Sequence, residues 1–131
     1  LYDIFDTTRH EDSVSLCKKY ALFPDLEDWK GKILLLESSE NQPNPEKYRK
    51  MLKALKKSGI FEVLSGVLVG KPMDERYAKE YQEILPEVIG NPTLPIVFNL
   101  NVGHATPRAI IPFGIMAKVD ILAQRISFTE A

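Results

Sequence analysis

The chain has 131 residues, 44% hydrophobic and 27% charged, enough to bury one sizeable core and no more. Its 17 basic and 18 acidic side chains leave a net charge of -1, which excludes a strong electrostatic footprint for nucleic acid or an anionic membrane surface and favours a small ligand. The longest apolar runs, "ILLLE" and "VLVG", fall far short of the roughly 20 residues of a membrane helix, and nothing resembles a signal peptide. A single cytoplasmic domain spanning residues 1–131 is therefore expected.

The chain opens "LYDIFDTT" without an initiator Met, and its first 30 residues mix charges and aromatics without sustained periodicity. Residues 1–29 thus read as an irregular lead-in, as though a longer protein had been entered partway. Within them, His10 stands near Asp3, Asp6, Glu11 and Asp12, a cluster whose oxygens suit a divalent ion in principle and a solvated charged segment in the ordinary case. Cys17 is the sole cysteine, so there is no disulfide framework and no paired-cysteine metal site, and it reads as an inert thiol. Trp29 reads as a core or domain-packing anchor.

"KILLLE", residues 32–37, is a continuous apolar run ending on a carboxylate, the pattern of a strand covered on both faces. "SSENQPNP" follows as a loop. Asn44 as N-cap and Pro45 at the first helical position predict a helix that puts Tyr48, Met51, Leu52 and Leu55 on one face and ends at Gly59. "VLSGVLVG", residues 63–70, predicts a second buried strand stopped by Gly70 and Pro72. "DERYAKEYQEILPEVI" sets Tyr77, Tyr81, Ile84, Leu85 and Val88 at helical spacing, core positions rather than cofactor contacts, with a break or kink expected near Pro86. "LPIVFNL", residues 94–100, is the third apolar run. The alternation of strand and helix predicts an α/β domain with a mostly parallel sheet and right-handed crossovers. "AIIPFGIMAKVDILAQRISF" alternates in part and predicts short antiparallel strands that close the domain.

Ligands bind parallel α/β sheets at the carboxyl ends of the strands, where loops carry functional groups without disturbing the core. Glu37 ends the first strand and His104 lies just past the third, so the two are expected at one edge of the sheet. A carboxylate on one imidazole nitrogen fixes the ring and stabilises the imidazolium formed when the other nitrogen takes a proton, which is the orienter and base of a hydrolytic triad. Spacing alone leaves the bland alternative open, a loop histidine and a solvated glutamate. Glu40 is the rival carboxylate, and Arg108 faces either an anionic substrate group or solvent.

The run "KILLLESSENQPNPEKYRKMLKALKKSGIFEVLSGVLVGKP" followed by "LPIVFNLNVGHATPRAIIPFGIMAKVD" resembles the C-terminal half of the LD-carboxypeptidase family of serine peptidases, most of all the branch with the microcin-C immunity proteins. The features that carry this are an apolar strand ending in Glu, a Pro-led helix, the "LSGVLVGKP" strand and turn, and "GH" followed by "PFG", over about residues 30–128. The resemblance implies a swivelling β/β/α domain, and a Ser-Glu-His triad whose Glu and His match Glu37 and His104. It also implies a nucleophile on a Gly-rich turn of a separate N-terminal domain, and homodimers. Ser13, Ser15, Ser38, Ser39, Ser58, Ser65 and Ser127 all lack a strand-to-helix nucleophile turn, so this chain by itself is expected to be silent. The implied substrates are a cell-wall L,D-peptide of the muramoyl tetrapeptide type, as in peptidoglycan recycling, or a microcin-like aminoacyl nucleotide, with no metal or cofactor. Two alternatives stand beside this: a non-catalytic docking or dimerisation module, and a metal-dependent hydrolase with Glu37 and His104 as ligands.

Overall fold

The structure is a computed structural model and describes residues 11–130. His10, Asp3 and Asp6 lie outside the described residues. Two short helices, α1 (Ser13–Lys19) and α2 (Leu26–Trp29), occupy the stretch that the sequence presents as irregular. Each is too short to establish a periodic apolar face, and neither buries a residue fully, so the sequence carried no amphipathic signal for them. Trp29 is half-buried against the core with its ring 5.5 Å from that of Phe23, consistent with its reading as an anchor.

Strands β1 (Ile33–Leu36), β2 (Gly66–Gly70) and β3 (Ile96–Leu100) form a parallel sheet in that spatial order. Each strand is joined to the next by a helix, α3 (Pro45–Lys57) and then α4 (Ala78–Ile89), as the alternation of apolar runs predicts. Leu34 pairs with Val67 and Leu36 with Val69, while Val67 pairs with Ile96, so these residues share the face that packs on the two helices. The central strand is buried along its whole length, which is why it reads as an unbroken apolar run.

Helix α3 starts where the sequence says it should. The Asn44 side chain accepts a hydrogen bond from the Lys47 N–H at 2.9 Å, and Pro45 contributes a preset φ at a position whose N–H has no helical partner. The helix ends at Lys57 with Ser58 as its C-cap, and Gly59 follows in a left-handed conformation, φ 83°. Tyr48, Leu52 and Leu55 are buried against the sheet, with Met51 only half-covered.

Helix α4 departs from expectation at both ends. It begins at Ala78, because Asp74, Glu75 and Tyr77 adopt φ of 54°, 55° and 59°, values no helix interior accommodates. It also runs through Pro86 to Ile89 instead of breaking there. Leu85, Val88 and Ile89, on both sides of the proline, are buried at 0%, 6% and 1% exposure, and that burial outweighs the lost backbone hydrogen bond.

Strands β4 (Met116–Asp120) and β5 (Arg125–Thr129) pair antiparallel as a hairpin, with Val119 opposite Ile126 and Ala117 opposite Phe128. The hairpin lies beside the sheet face turned away from the helices, where Ile33, Leu35, Leu68 and Phe128 line a cavity of 370 Å³. The architecture is thus α/β, with a parallel core sheet and an antiparallel closing pair.

Candidate active site

Strands β1 and β3 flank β2, so their carboxyl ends stand two strand spacings apart, about 10 Å. Two irregularities close that distance. The register between β2 and β3 shifts between Leu68 and Gly70, and Asn99 takes φ 68°, which turns the end of β3. The chain then bends tightly, the Val102 N–H donating to the Leu100 carbonyl at 2.8 Å, and crosses over the end of β2. Gly70 makes the crossing possible, since a Cβ there would stand 2.8 Å from the Val102 carbonyl oxygen and 3.1 Å from its Cγ2.

Gly103 completes the approach. Its φ of 93° is one that side chains rarely adopt, and a Cβ on it would meet Glu37 at 2.8 Å from Cγ and 3.0 Å from Cδ. The Glu37 side chain therefore lies directly against the bare backbone of Gly103, which delivers the next residue, His104, to the carboxylate. The loop beyond is tied at its base by the Ala109 N–H donating to the Asn101 carbonyl at 2.6 Å, and it contains a cis Thr106–Pro107 peptide.

His104 Nδ1 lies 2.6 Å from Glu37 Oε1, and its Nε2 lies 3.1 Å from Glu40 Oε2. Nδ1 is sealed from solvent, yet the Glu37 oxygen sits off the line of the ring N–H, so the contact is a close approach rather than an aligned hydrogen bond. Catalytic hydrogen bonds are often loose in the free state and tighten around a bound reactant. Neither ring nitrogen meets a hydroxyl among the described residues. An imidazole held against a carboxylate has the chemistry of a general base beside an orienting group, and no hydroxyl among the described residues faces it.

The sequence-predicted pair is brought together, and so is the rival: Glu40 reaches the other nitrogen instead of replacing Glu37. Arg108 is exposed, with no hydrogen bond or ion pair among the described residues. Among those residues no group of three or more His, Cys, Asp or Glu side chains is placed to hold a metal ion, and no helix is long and apolar enough to cross a membrane. The loop that carries Glu40 was expected from the sequence, but what fastens it was not. Gln42 in this loop donates from its amide nitrogen to Asp74 at 3.2 Å and accepts from Arg76 at 3.1 Å, fastening it to the turn after β2.

A cavity of 260 Å³ opens beside Glu37, walled by Ser38, Pro43, Tyr48, Met51 and Tyr81. The two tyrosine rings stack with centroids 4.0 Å apart, and the Tyr81 hydroxyl donates to the Pro43 carbonyl. Burial pushes the Tyr81 hydroxyl up to about 12 and that of Tyr48 higher still, so both stay neutral.

Comparison with known proteins identifies the domain. Residues 12–119 match the LD-carboxypeptidase C-terminal domain. The chain belongs to the LD-carboxypeptidase family. No curated protein matches the sequence. Among solved structures, the chain is 60% identical to an MccF-like protein from Streptococcus pneumoniae in complex with AMP, with a TM-score of 0.94 over 98% of this chain and 37% of that one. The fold is also shared with MccF in complex with glutamyl sulfamoyl guanosine (24% identity, TM-score 0.67, 78% of this chain and 31% of that one). A muramoyltetrapeptide carboxypeptidase from Oxalobacter formigenes is similar at TM-score 0.56 and 24% identity, over 74% of this chain and 35% of that one. The chain thus spans about a third of the length of these relatives.

Proposed function

We propose that this domain supplies the orienter and base of a serine peptidase whose nucleophile stands on a separate N-terminal domain, and that the whole enzyme hydrolyses an amide bond in an aminoacyl-nucleotide type of substrate. The observation that carries the reading is the 2.6 Å approach of His104 Nδ1 to Glu37 Oε1 at one sheet edge. The 60% identity to an AMP-bound MccF-like protein supports the nucleotide class over a cell-wall L,D-peptide.

In this mechanism His104 Nε2 accepts the serine hydroxyl proton as the serine oxygen attacks the amide carbon. Glu37 stabilises the imidazolium. The carbon–nitrogen bond then breaks and the proton passes from Nε2 to the leaving nitrogen. Water, deprotonated by the same nitrogen, releases the acyl group from the serine. Arg108, on the loop that carries His104, is assigned to an anionic group of the substrate.

In the longer protein, His104→Ala is expected to lower kcat by about 10²- to 10⁴-fold with its unfolding transition little changed. Near-normal turnover of both an aminoacyl nucleotide and a muramoyl tetrapeptide by that variant would sink the reading in favour of a docking module. Cleavage of the tetrapeptide alone by the unaltered protein would reassign the substrate.

A further inference from the structure

A base in a hydrolytic triad needs one nitrogen for its orienter and the other for its nucleophile, and here both are occupied by carboxylates. Nε2, the nitrogen that has to receive the serine proton, lies 3.1 Å from Glu40 Oε2. The contact is held from outside. Gln42, two residues along the same loop and itself at φ 44°, is hydrogen-bonded to Asp74 and Arg76 in a turn where Asp74, Glu75 and Tyr77 all take positive φ. Such strained backbone persists only where surrounding contacts over-determine it. The loop is therefore fastened in the position that sets Glu40 against the imidazole, while the Glu40 side chain, 63% exposed, has open solvent to move into.

We infer that Glu40 is a positioning residue that caps His104 at Nε2 in the free enzyme and yields that nitrogen to the serine when substrate binds. The inference rests on the proposed function, because a cap on Nε2 matters only if that nitrogen accepts a proton.

The test uses the longer protein and a fluorophosphonate, which labels an activated serine as its oxygen displaces fluoride from phosphorus and gives its proton to Nε2. In the absence of substrate, Glu40→Ala is expected to label about two- to fivefold faster than the unaltered enzyme, the range for one partly exposed ion pair. Glu40→Gln, which keeps the side-chain shape and removes the charge, falls between them. The same gain appears in kcat/KM, which is referred to the free enzyme, and a merely structural role for Glu40 would lower both quantities. Labelling that requires His104 but is no faster in either Glu40 variant overturns this inference and leaves the proposed function standing. Labelling that is indifferent to His104→Ala, or absent throughout, overturns both.

Discussion

At the scale of single residues, the site depends on two glycines as much as on its charged groups. Gly103 has both a φ of 93° and the Glu37 side chain against it. Gly103→Ala is expected to cost about 1–2 kcal/mol in backbone strain and to push Glu37 away from Nδ1, so that activity falls much further than stability. Denaturant unfolding beside kcat/KM of the longer protein separates the two effects. Glu37→Gln keeps the shape and removes the charge, and a loss of up to about 10⁴-fold in kcat with normal unfolding is expected if Glu37 orients the base. Both acidic partners of His104 were legible as candidates in the sequence, since one ends a strand and the other lies three residues on. Their simultaneous use was not, because a pattern of apolar runs gives no information on how a loop folds back over a strand end.

At the scale of elements, α3 and α4 are held together by apolar packing and by a two-pronged pair in which Arg49 Nη1 and Nη2 donate to Glu87 Oε1 and Oε2 at 2.5 and 2.8 Å. The Arg49 hydrogen bonds hold the Glu87 carboxyl below its usual range. A depressed carboxyl contributes stability above its unfolded value, near 4.3, and loses it as the pH falls through the folded one. The melting temperatures of Glu87→Gln and the unaltered chain should therefore differ near neutrality and converge in acid. Tyr81 behaves in the opposite sense. Its raised value means that the stability it contributes is complete below about 10 and is lost as the pH rises toward about 12, which an alkaline unfolding series reads directly. Leu85→Ala, at a fully buried position beside Pro86, should cost about 2–5 kcal/mol. The same burial explains why a break at Pro86, reasonable from the sequence, does not occur: local propensity is a weak prior when packing on both sides holds the turn in place. The strands were legible because the sheet is parallel and covered, so each reads as one apolar run. The left-handed residues before α4 had no such signal, being Asp, Glu and Tyr rather than Gly or Asn.

At the scale of the whole molecule, the described residues end in a surface that is unusually apolar. Ile110, Phe113, Met116, Ile121 and Leu122 are exposed at 94%, 79%, 62%, 69% and 97%, all within the His104 loop and the closing hairpin. Large apolar side chains left in solvent along one segment are what a surface covered by another domain would leave, which accords with a chain that spans 37% of the length of its 60% identical relative. The 131-residue chain alone is expected neither to turn over an aminoacyl nucleotide nor to react with a fluorophosphonate, and the longer protein is expected to do both; labelling of the isolated chain would place the nucleophile among its own serines. The fold class and the shared sheet edge could be read from the order of apolar runs. The surface could not, because the hairpin's alternation shows which residues share a side but not whether that side is covered by this domain or by another.

The bare end of β2 has a further consequence. The middle strand contributes no functional side chain, yet it fixes the width that the Val102 turn spans and, through Gly70, the height at which that turn passes. The two crossovers on either side can lengthen, shorten or change their surfaces without altering either dimension. A single added methyl group at Gly70 would thus reach the chemistry from a strand that takes no part in it.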